Sequence, residues 1–357
     1  MYKQVKIFVD PLMFPWAQSF YLQGIVDVVG KRNVKFDAHY FEEIPNNASR
    51  PYSFNFVVVE QGKVTKYAID WFDTNAINNK SAYEWCDVYA KVNTNWTITP
   101  KQEFPKIQPV PPSMGIRFHS LFGCIVDLLS NSCKSGIVLS NDFLKYAHYY
   151  YREFKRLPLD SYCYKPELVE NGYVFFLSTL WYNAEWNNND ELLNTPRYNM
   201  MDWISEQKFV SFEGGFVPHG KRSQQRGYES SNQKYLKYLT QGVEVSEYME
   251  KMQKSYIAVN TGGVVSCFGW KLAEYLALGK AIVSLPISNY LEVPLEHGKN
   301  IHFVENDRES ISEALTYIYE HPDYRKNLEW GSRQYWETYC RPDKVIVNLL
   351  NYGNTEI

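Results

Sequence analysis

The segment from Asn260 to Ser284 constrains the fold of this chain more than any other stretch. It reads NTGGVVSCFGWKLAEYLALGKAIVS, a glycine-containing turn followed by apolar residues three and four positions apart. That spacing is typical of one face of a helix. Gly279 stands where a left-handed residue ends many helices, and the apolar residues after it predict a short buried strand. A loop, a helix and a strand in this order indicate an α/β protein.

Two charged residues lie at the start of this predicted helix. Lys271 falls in its first turn, and Glu274 follows one turn later, at i and i+3. A helix N-terminus with a lysine suits a phosphate group, and a carboxylate suits a ribose diol. The alternative is an exposed i,i+3 ion pair. The glycine loop before the helix and the strand after it favour a nucleotide site.

The run SCFGWKLAEYLALGKAIV, from Ser266 to Val283, resembles the donor-site motif of the group 1 glycosyltransferases of GT-B fold. In that motif a glutamate is followed by a glycine three positions on and a second glutamate eight positions on. An apolar run, Gly-Lys and a strand come next. The second glutamate falls on Glu274. The first falls on Ser266, so this chain departs from the motif at the position that contacts the transferred sugar in the family.

The resemblance implies two Rossmann-like domains facing each other across a cleft. It implies transfer of a sugar from a nucleoside-diphosphate sugar, the co-substrate, to a glycan, lipid-linked or other hydroxyl acceptor, with retention at the anomeric carbon. The sequence has no Asp-x-Asp pair at a strand end, so we expect neither a metal nor another cofactor. Positive charge and backbone N–H groups would stabilise the leaving diphosphate.

Catalytic and donor-binding roles follow from the same resemblance. We assign catalysis to Lys271 and Ser266, and donor binding to Glu274 and to the loop residues before and within the first turn of the helix. Those loop residues are Phe268, Gly269 and Trp270. For Trp270 the alternative is packing in the core.

Other cations are weaker candidates. Lys221 and Arg222 belong to a basic loop, HGKRSQQR, after a predicted strand, and ligands of open α/β sheets bind at that edge. A solvated loop explains the same charges. Arg197, near the preceding helix, is a further donor-binding candidate. In the first half of the chain, Arg117 and His119 are candidates for an acceptor site, with a structural role as the alternative.

The first half of the chain predicts a strand at residues 5–9, a helix at 17–29 and a strand at 34–40. A hairpin at 54–60 and 64–69 follows. The first strand is not followed by G-x-G-x-x-G, which argues against a nicotinamide dehydrogenase. Asp70 and Asp73 have no histidine nearby, so we interpret them as solvated acids rather than metal ligands.

The periodic pattern lapses at residues 157–166, where we place the interdomain crossing. We expect an acceptor-side domain at 1–160, a donor domain at 161–340, and a segment at 341–357. The resemblance implies that this last segment packs back on the first domain. A length of 357 residues agrees with about two domains.

Charge and cysteine content bear on partners and location. The net charge is −3 and basic residues occur in runs no longer than a pair, which argues against a nucleic-acid partner. Six scattered cysteines without a C-x-x-C pair predict a reduced, cytoplasmic protein. No apolar run approaches the ~20 residues of a spanning helix. We therefore expect a cytoplasmic protein with at most peripheral contact at the inner face of a membrane.

Two other functions use the same features. A non-catalytic nucleotide-sugar-binding protein would keep Glu274 and lack the family acid at Ser266, as here. An epimerase on the same two-domain scaffold would consume the sugar nucleotide without an acceptor. Donor turnover with and without acceptor distinguishes the three.

Overall fold

The computed structural model describes residues 5–48, 50–181, 190–218 and 233–355. The first part of the chain forms an N-lobe around a six-stranded sheet. Its strands are β1 Lys6–Val9, β2 Val34–Phe36, β3 Ser53–Glu60, β4 Lys63–Asp70, β5 Val88–Lys91 and β6 Ile107–Pro109. Its helices are α1 Pro15–Val29, α2 Lys80–Trp85, α3 Leu121–Lys134 and α4 Asp142–Phe154.

The N-lobe sheet is mixed, with strand order β2-β1-β3-β4-β5-β6. The predicted strand–helix–strand unit is confirmed, since β1 and β2 are parallel and joined by α1. The predicted hairpin is confirmed in β3 and β4. Its turn residues Gln61 and Gly62 both have positive φ, at 52° and 85°, as a two-residue turn matched to the twist of the strands requires.

A C-lobe of parallel strands follows. Its strands are β7 Tyr173–Leu180, β8 Ser211–Pro218, β9 Ala258–Asn260, β10 Ile282–Ser284 and β11 His302–Phe303. Its helices are α5 Asp190–Ser205, α6 Val245–Lys254, α7 Trp270–Leu278, α8 Arg308–Glu320 and α9 Pro322–Tyr335. The strand pairs β7–β8, β9–β10 and β10–β11 are all parallel. The predicted fold class, two α/β lobes facing each other across a cleft, is confirmed.

The chain order around the central segment is the predicted one. Strand β9 leads through a loop into α7, and Gly279 ends this helix in the left-handed conformation, at φ 62°. Strand β10 follows at once. Because β9 and β10 are parallel, the loop from Asn260 to Gly269 lies at their carboxyl edge, where ligands bind in open α/β sheets.

One apolar core joins the two lobes. It runs from the N-lobe sheet and α1 to α7 and the end of the chain. The final helix, α10 Pro342–Thr355, packs on α1. A Cβ at Gly24 of α1 would lie 2.3 Å from the carbonyl oxygen of Pro342, so only a glycine permits this helix approach.

None of the helices in the described ranges combines the length and the apolarity that crossing a bilayer requires.

Candidate functional site

A cavity of about 350 Å³ lies at the carboxyl ends of β9 and β10. Its walls are the loop from Asn260 to Gly269, the segment from Leu285 to Asn289 and the start of α5. Three predicted site residues, Ser266, Phe268 and Gly269, line it. Such a position outside the strand ends is where an open parallel sheet binds its ligand.

The loop that forms one wall is held in an unusual conformation. Val265 and Ser266 have φ values of 54° and 58°, a left-handed conformation that is rare for non-glycine residues and rarest for a β-branched one. Asn289 donates a side-chain hydrogen bond to the Ser266 carbonyl at 3.0 Å. The Gly263 N–H donates to the Cys267 carbonyl at 2.8 Å. Strain of this kind occurs most often at ligand-binding segments.

Helix α7 begins directly behind this loop. Gly269 is its N-terminal cap and offers no side-chain cap to the first turn. The first N–H groups of a helix have no partner within the helix, and together they favour an anion. The loop and helix therefore present hydrogen-bond donors next to the cavity.

Lys271 and Arg197 place two cations behind the same loop. The Lys271 ammonium donates to the carbonyl of Leu177 in β7. Burial lowers its pKa to about 7, and the charge of Arg197 adds to this effect. Arg197 donates to the carbonyls of Thr179 at 3.0 Å and Gly262 at 3.2 Å, and burial lowers its pKa to about 10.

Glu274 is the acid that interacts with Lys271. It lies one turn after Lys271 and accepts a hydrogen bond from the Tyr248 hydroxyl at 3.2 Å. Burial raises the pKa of Glu274, although Lys271 and Arg156 oppose the change. Glu274, whose own charge is disfavoured by burial, thus lies between the positive charges of Lys271 and Arg156, and the charge of Arg197 acts on Lys271 from another side. Lys271 and Glu274 are half-buried beside the cavity rather than on its wall.

Trp270 does not line the cavity and instead packs across the cleft. Its ring lies 5.2 Å from that of Trp16 and 6.3 Å from that of Trp71, both in the N-lobe. The Arg156 guanidinium lies 5.1 Å from the same ring. This is the core-packing alternative for Trp270. Of the other donor candidates, Lys221 and Arg222 fall outside the described residues.

Arg117 and His119 are not brought to the cavity. The Arg117 guanidinium lies over the ring of Phe154, at 5.6 Å. His119 is buried, with Nε2 3.0 Å from Asp127 and Nδ1 3.3 Å from Glu153. Burial alone would lower the pKa of His119, but these two carboxylates raise it to about 9. The ring is therefore a charged bridge between two acids.

His119, Cys124 and Glu153 hold three possible metal-ligand atoms within 4.8 Å of one another. Glu153 already accepts hydrogen bonds from the backbone N–H groups of Phe118 and His119 and from the Cys124 thiol. Its negative charge is thus satisfied inside the protein. The cluster anchors the segment before α3.

The interpretation of Asp70 and Asp73 as solvated acids is wrong for Asp70. Asp70 and Lys91 form a fully buried ion pair at 3.0 Å. The chain after β4 turns inward to the interlobe contact, which no local pattern reveals. Asp73, further along the same turn, is half-buried. Burial raises its pKa to about 6.

Asp73 lies on the N-lobe side of the site. Burial, and then the negative charge of Asp73, raise the pKa of the Cys267 thiol in the cavity loop. Asn93, also in the N-lobe, accepts the Phe268 N–H at 2.8 Å through its side-chain carbonyl. Sequence reasoning missed Asn93 because the contact joins residues far apart in the chain, and no local pattern marks it.

The fold and the site define the class of this protein. It is a two-lobed α/β protein with a cavity at the carboxyl ends of its C-lobe strands. No protein-family model matches the sequence, and no curated protein sequence matches it. Solved structures are similar to it. One is the C-terminal domain of LpcC, a group 1 family glycosyltransferase from Francisella tularensis, with 12% identity over 50% of this chain and 96% of that chain and a TM-score of 0.35.

Two further structures cover more of the chain. A glycosyltransferase from Rickettsia africae is 15% identical over 90% of this chain and 71% of that chain, with a TM-score of 0.43. Anabaena HepE in complex with UDP and glucose is 10% identical over 78% of this chain and 65% of that chain, also with a TM-score of 0.43. At such identities the similarity concerns the fold alone.

Proposed function

We propose that the protein is a glycosyltransferase that binds a nucleoside-diphosphate sugar in the C-lobe cavity and transfers the sugar to a hydroxyl acceptor in the cleft. One observation carries the proposal. Lys271 and Arg197 lie behind a strained glycine loop at the N-terminus of α7, close enough for the charge of Arg197 to lower the pKa of Lys271, and the carboxylate of Glu274 offsets the charges of Lys271 and Arg156. A buried excess of positive charge is costly unless an anion joins it.

A diphosphate fits this excess. Its oxygens accept hydrogen bonds from the N–H groups at the start of α7, as phosphates do at other helix N-termini. During transfer the diphosphate leaves with added negative charge, so cations and oriented N–H groups stabilise the transition state more than the bound donor. Lys271 has the catalytic role in this scheme, and Arg197 fixes the loop through the Gly262 carbonyl.

Glu274 and Ser266 have the remaining donor roles. Glu274 is held by the Tyr248 hydroxyl and would accept hydrogen bonds from the ribose diol. Ser266 is exposed on the cavity wall and would contact the transferred sugar through its hydroxyl. Phe268 and Gly269 shape the wall between these two residues.

The acceptor that we propose is a glycan or lipid-linked hydroxyl, presented in the cytoplasm at the inner face of a membrane. We also propose that transfer is metal-independent and retaining. Asp73 offers a test of the stereochemistry, because an inverting reaction needs a base and a carboxylate with a pKa near 6 is suited to that role. Retention predicts that Asp73→Asn keeps its activity, and metal independence predicts that added chelator has no effect.

The test of donor binding is a thermal-shift panel of UDP-, GDP-, dTDP- and ADP-sugars. A donor that binds only the native state at about 100 times its Kd stabilises the fold by about 2.7 kcal/mol. We expect one nucleotide class to raise Tm, and the shift to be lost in Glu274→Gln and Lys271→Gln. Glu309→Gln, an exposed first-turn acid of α8, should respond as the unaltered protein does.

Turnover then separates the functions. A transferase consumes donor only with an acceptor, an epimerase consumes it alone, and a binding protein shows a Tm shift without turnover. Absence of any donor-dependent shift, or an unchanged shift in Glu274→Gln, would contradict the proposed site.

A further inference from the structure

Helix α3 turns its apolar side to solvent. Leu121, Phe122, Ile125, Val126 and Leu129 are all exposed, and Phe122 keeps 76% of its surface accessible. At 3.6 residues per turn these five positions lie within an arc of about 140°. The charged residues of α3, Asp127 and Lys134, lie on the other side of the helix. The usual orientation of an amphipathic surface helix is therefore reversed.

The exposed apolar surface continues through the connection to α4. Leu139 in the connection is 98% exposed, and Leu144 in the first turn of α4 is 74% exposed. Tyr151 lies two turns after Leu144 on the same side of α4 and is also exposed. The two helices pack against each other, so these residues belong to one hairpin.

Basic residues accompany this surface. Lys145, His148 and Lys155 are exposed and share the arc of α4 that carries Leu144 and Tyr151. The acids of α4, Asp142 and Glu153, lie on the opposite side, and Glu153 is fully buried. From 117 to 156 the chain has six Lys and Arg against three Asp and Glu, whereas the whole chain has a net charge of −3.

We define the α3–α4 face by these residues: Leu121, Phe122, Ile125, Val126, Leu129, Leu139, Leu144, Lys145, His148, Tyr151 and Lys155. We propose that it docks the protein onto the surface of a lipid bilayer that contains anionic lipids. The inference deepens the membrane location included in the proposed function, but it is argued from this face alone, and its test requires neither donor binding nor turnover.

The chemistry of the face matches a bilayer interface. Leu, Ile, Val and Phe side chains enter the boundary between headgroups and acyl chains, while flanking lysines remain at the anionic headgroups. Contiguous apolar surface of this kind is unusual on a protein with no partner for it. No acid lies among the exposed residues of the face to pair with its basic residues.

The positive charge of the α3–α4 face argues against a second copy of the chain as its binding partner. A two-fold contact through this face would bury the lysines of both copies together, with no carboxylate in the face to pair with either set. Like charges at an interface are unfavourable. An anionic membrane accepts the apolar and the basic residues together.

The test is sedimentation of the full chain with phosphatidylcholine vesicles, with and without phosphatidylglycerol, at low and physiological salt. We expect binding to the vesicles with phosphatidylglycerol and weaker binding as salt rises. Phe122→Ser combined with Leu139→Ser should lower the partition coefficient about tenfold or more. Both side chains are largely solvent-exposed, so Tm should stay within 2 °C or so of the unaltered value.

A matched double variant controls for apolar loss elsewhere. Ile98→Ser combined with Trp330→Ser removes side chains that are 52% and 58% exposed outside the face, and it should bind vesicles as the unaltered protein does. Lys145→Gln with Lys155→Gln should reduce binding and its salt dependence. Equal binding by the test and control variants, or no binding to phosphatidylglycerol vesicles, would overturn the proposal. A dimer in sedimentation velocity that the Phe122/Leu139 variant abolishes would assign the face to a second copy instead.

Discussion

At the scale of single residues, Lys271 is the group whose charge state controls the candidate site. Burial and the nearby charge of Arg197 lower its pKa to about 7, from an ordinary value of 10.5. Between these values the unfolded chain holds one more proton at this position than the folded chain. The free energy of unfolding therefore rises with pH across this window, and below about pH 7, where both states are protonated, this group changes it no further.

A bound diphosphate would raise the pKa of Lys271 again. Its negative charge favours the ammonium form, so we expect proton uptake when a nucleoside diphosphate binds at pH 8. Affinity should fall by up to about tenfold per pH unit above pH 7. Calorimetric titration in buffers of different ionisation enthalpy measures the uptake. Lys271→Gln should bind weakly and lose this pH dependence, and proton uptake that persists in the variant would assign it to another group.

Val265 offers a second prediction at this scale. Its φ of 54° disfavours a β-branched side chain, and the side chain is 48% exposed, so little burial is lost by removing it. Val265→Gly should raise the free energy of unfolding by about 1 kcal/mol. Val64→Gly removes a side chain of similar exposure, 47%, from β4 and should lower stability by a similar amount. Urea unfolding of both variants gives the comparison. A lower free energy of unfolding in Val265→Gly than in the unaltered protein would show that the loop is not strained.

At the scale of elements, the unit of β9, the cavity loop, α7 and β10 was the part of the chain most open to prediction. Its helix has regular apolar spacing, and a glycine ends it. Helices α3 and α4 were not predicted. The apolar residues of α3 face solvent, so the pattern that identifies a helix packed on a core does not apply to it.

The conformation of the cavity loop, from Asn260 to Gly269, leads to a further prediction. A Cβ at Gly263 would lie 2.9 Å from the Cys267 carbonyl, whereas a Cβ at Gly262 meets nothing within 4 Å. Gly263→Ala must therefore displace the loop and should weaken donor binding about tenfold, the loss expected when a positioning segment moves. Gly262→Ala adds the same methyl group to the same loop and should bind donor within about twofold of the unaltered protein. Equal affinities in the two variants would mean that the loop conformation is not required.

At the scale of the whole molecule, the two lobes are joined by buried polar contacts as well as by the shared core. The Asn93 side-chain carbonyl accepts the Phe268 N–H at 2.8 Å and the Asn289 side-chain N–H at 3.2 Å. The Tyr290 N–H donates to the Thr94 carbonyl at 2.8 Å. Contacts between positions almost 200 residues apart leave no periodic signal, so sequence reasoning predicted two lobes but not what joins them.

Removing the Asn93 side chain tests this connection. Asn93→Ala leaves the buried Phe268 N–H without an acceptor, which should cost about 1–3 kcal/mol and displace the cavity loop. Asn95→Ala, two residues on, removes only an exposed contact to Thr97 and should change stability by less than about 0.5 kcal/mol. Urea unfolding and donor titration of both variants measure the difference. An unchanged free energy of unfolding and donor affinity in Asn93→Ala would show that the apolar core alone holds the two lobes together.

The packing of Trp270 against Trp16 and Trp71 has an optical consequence. The three indoles lie within 6.3 Å of one another, two in the N-lobe and one at the start of α7. At such distances their electronic transitions couple, and any separation of the lobes must carry one indole away from the other two. Near-ultraviolet circular dichroism and intrinsic fluorescence therefore record cleft opening directly, in the unlabelled protein and in real time.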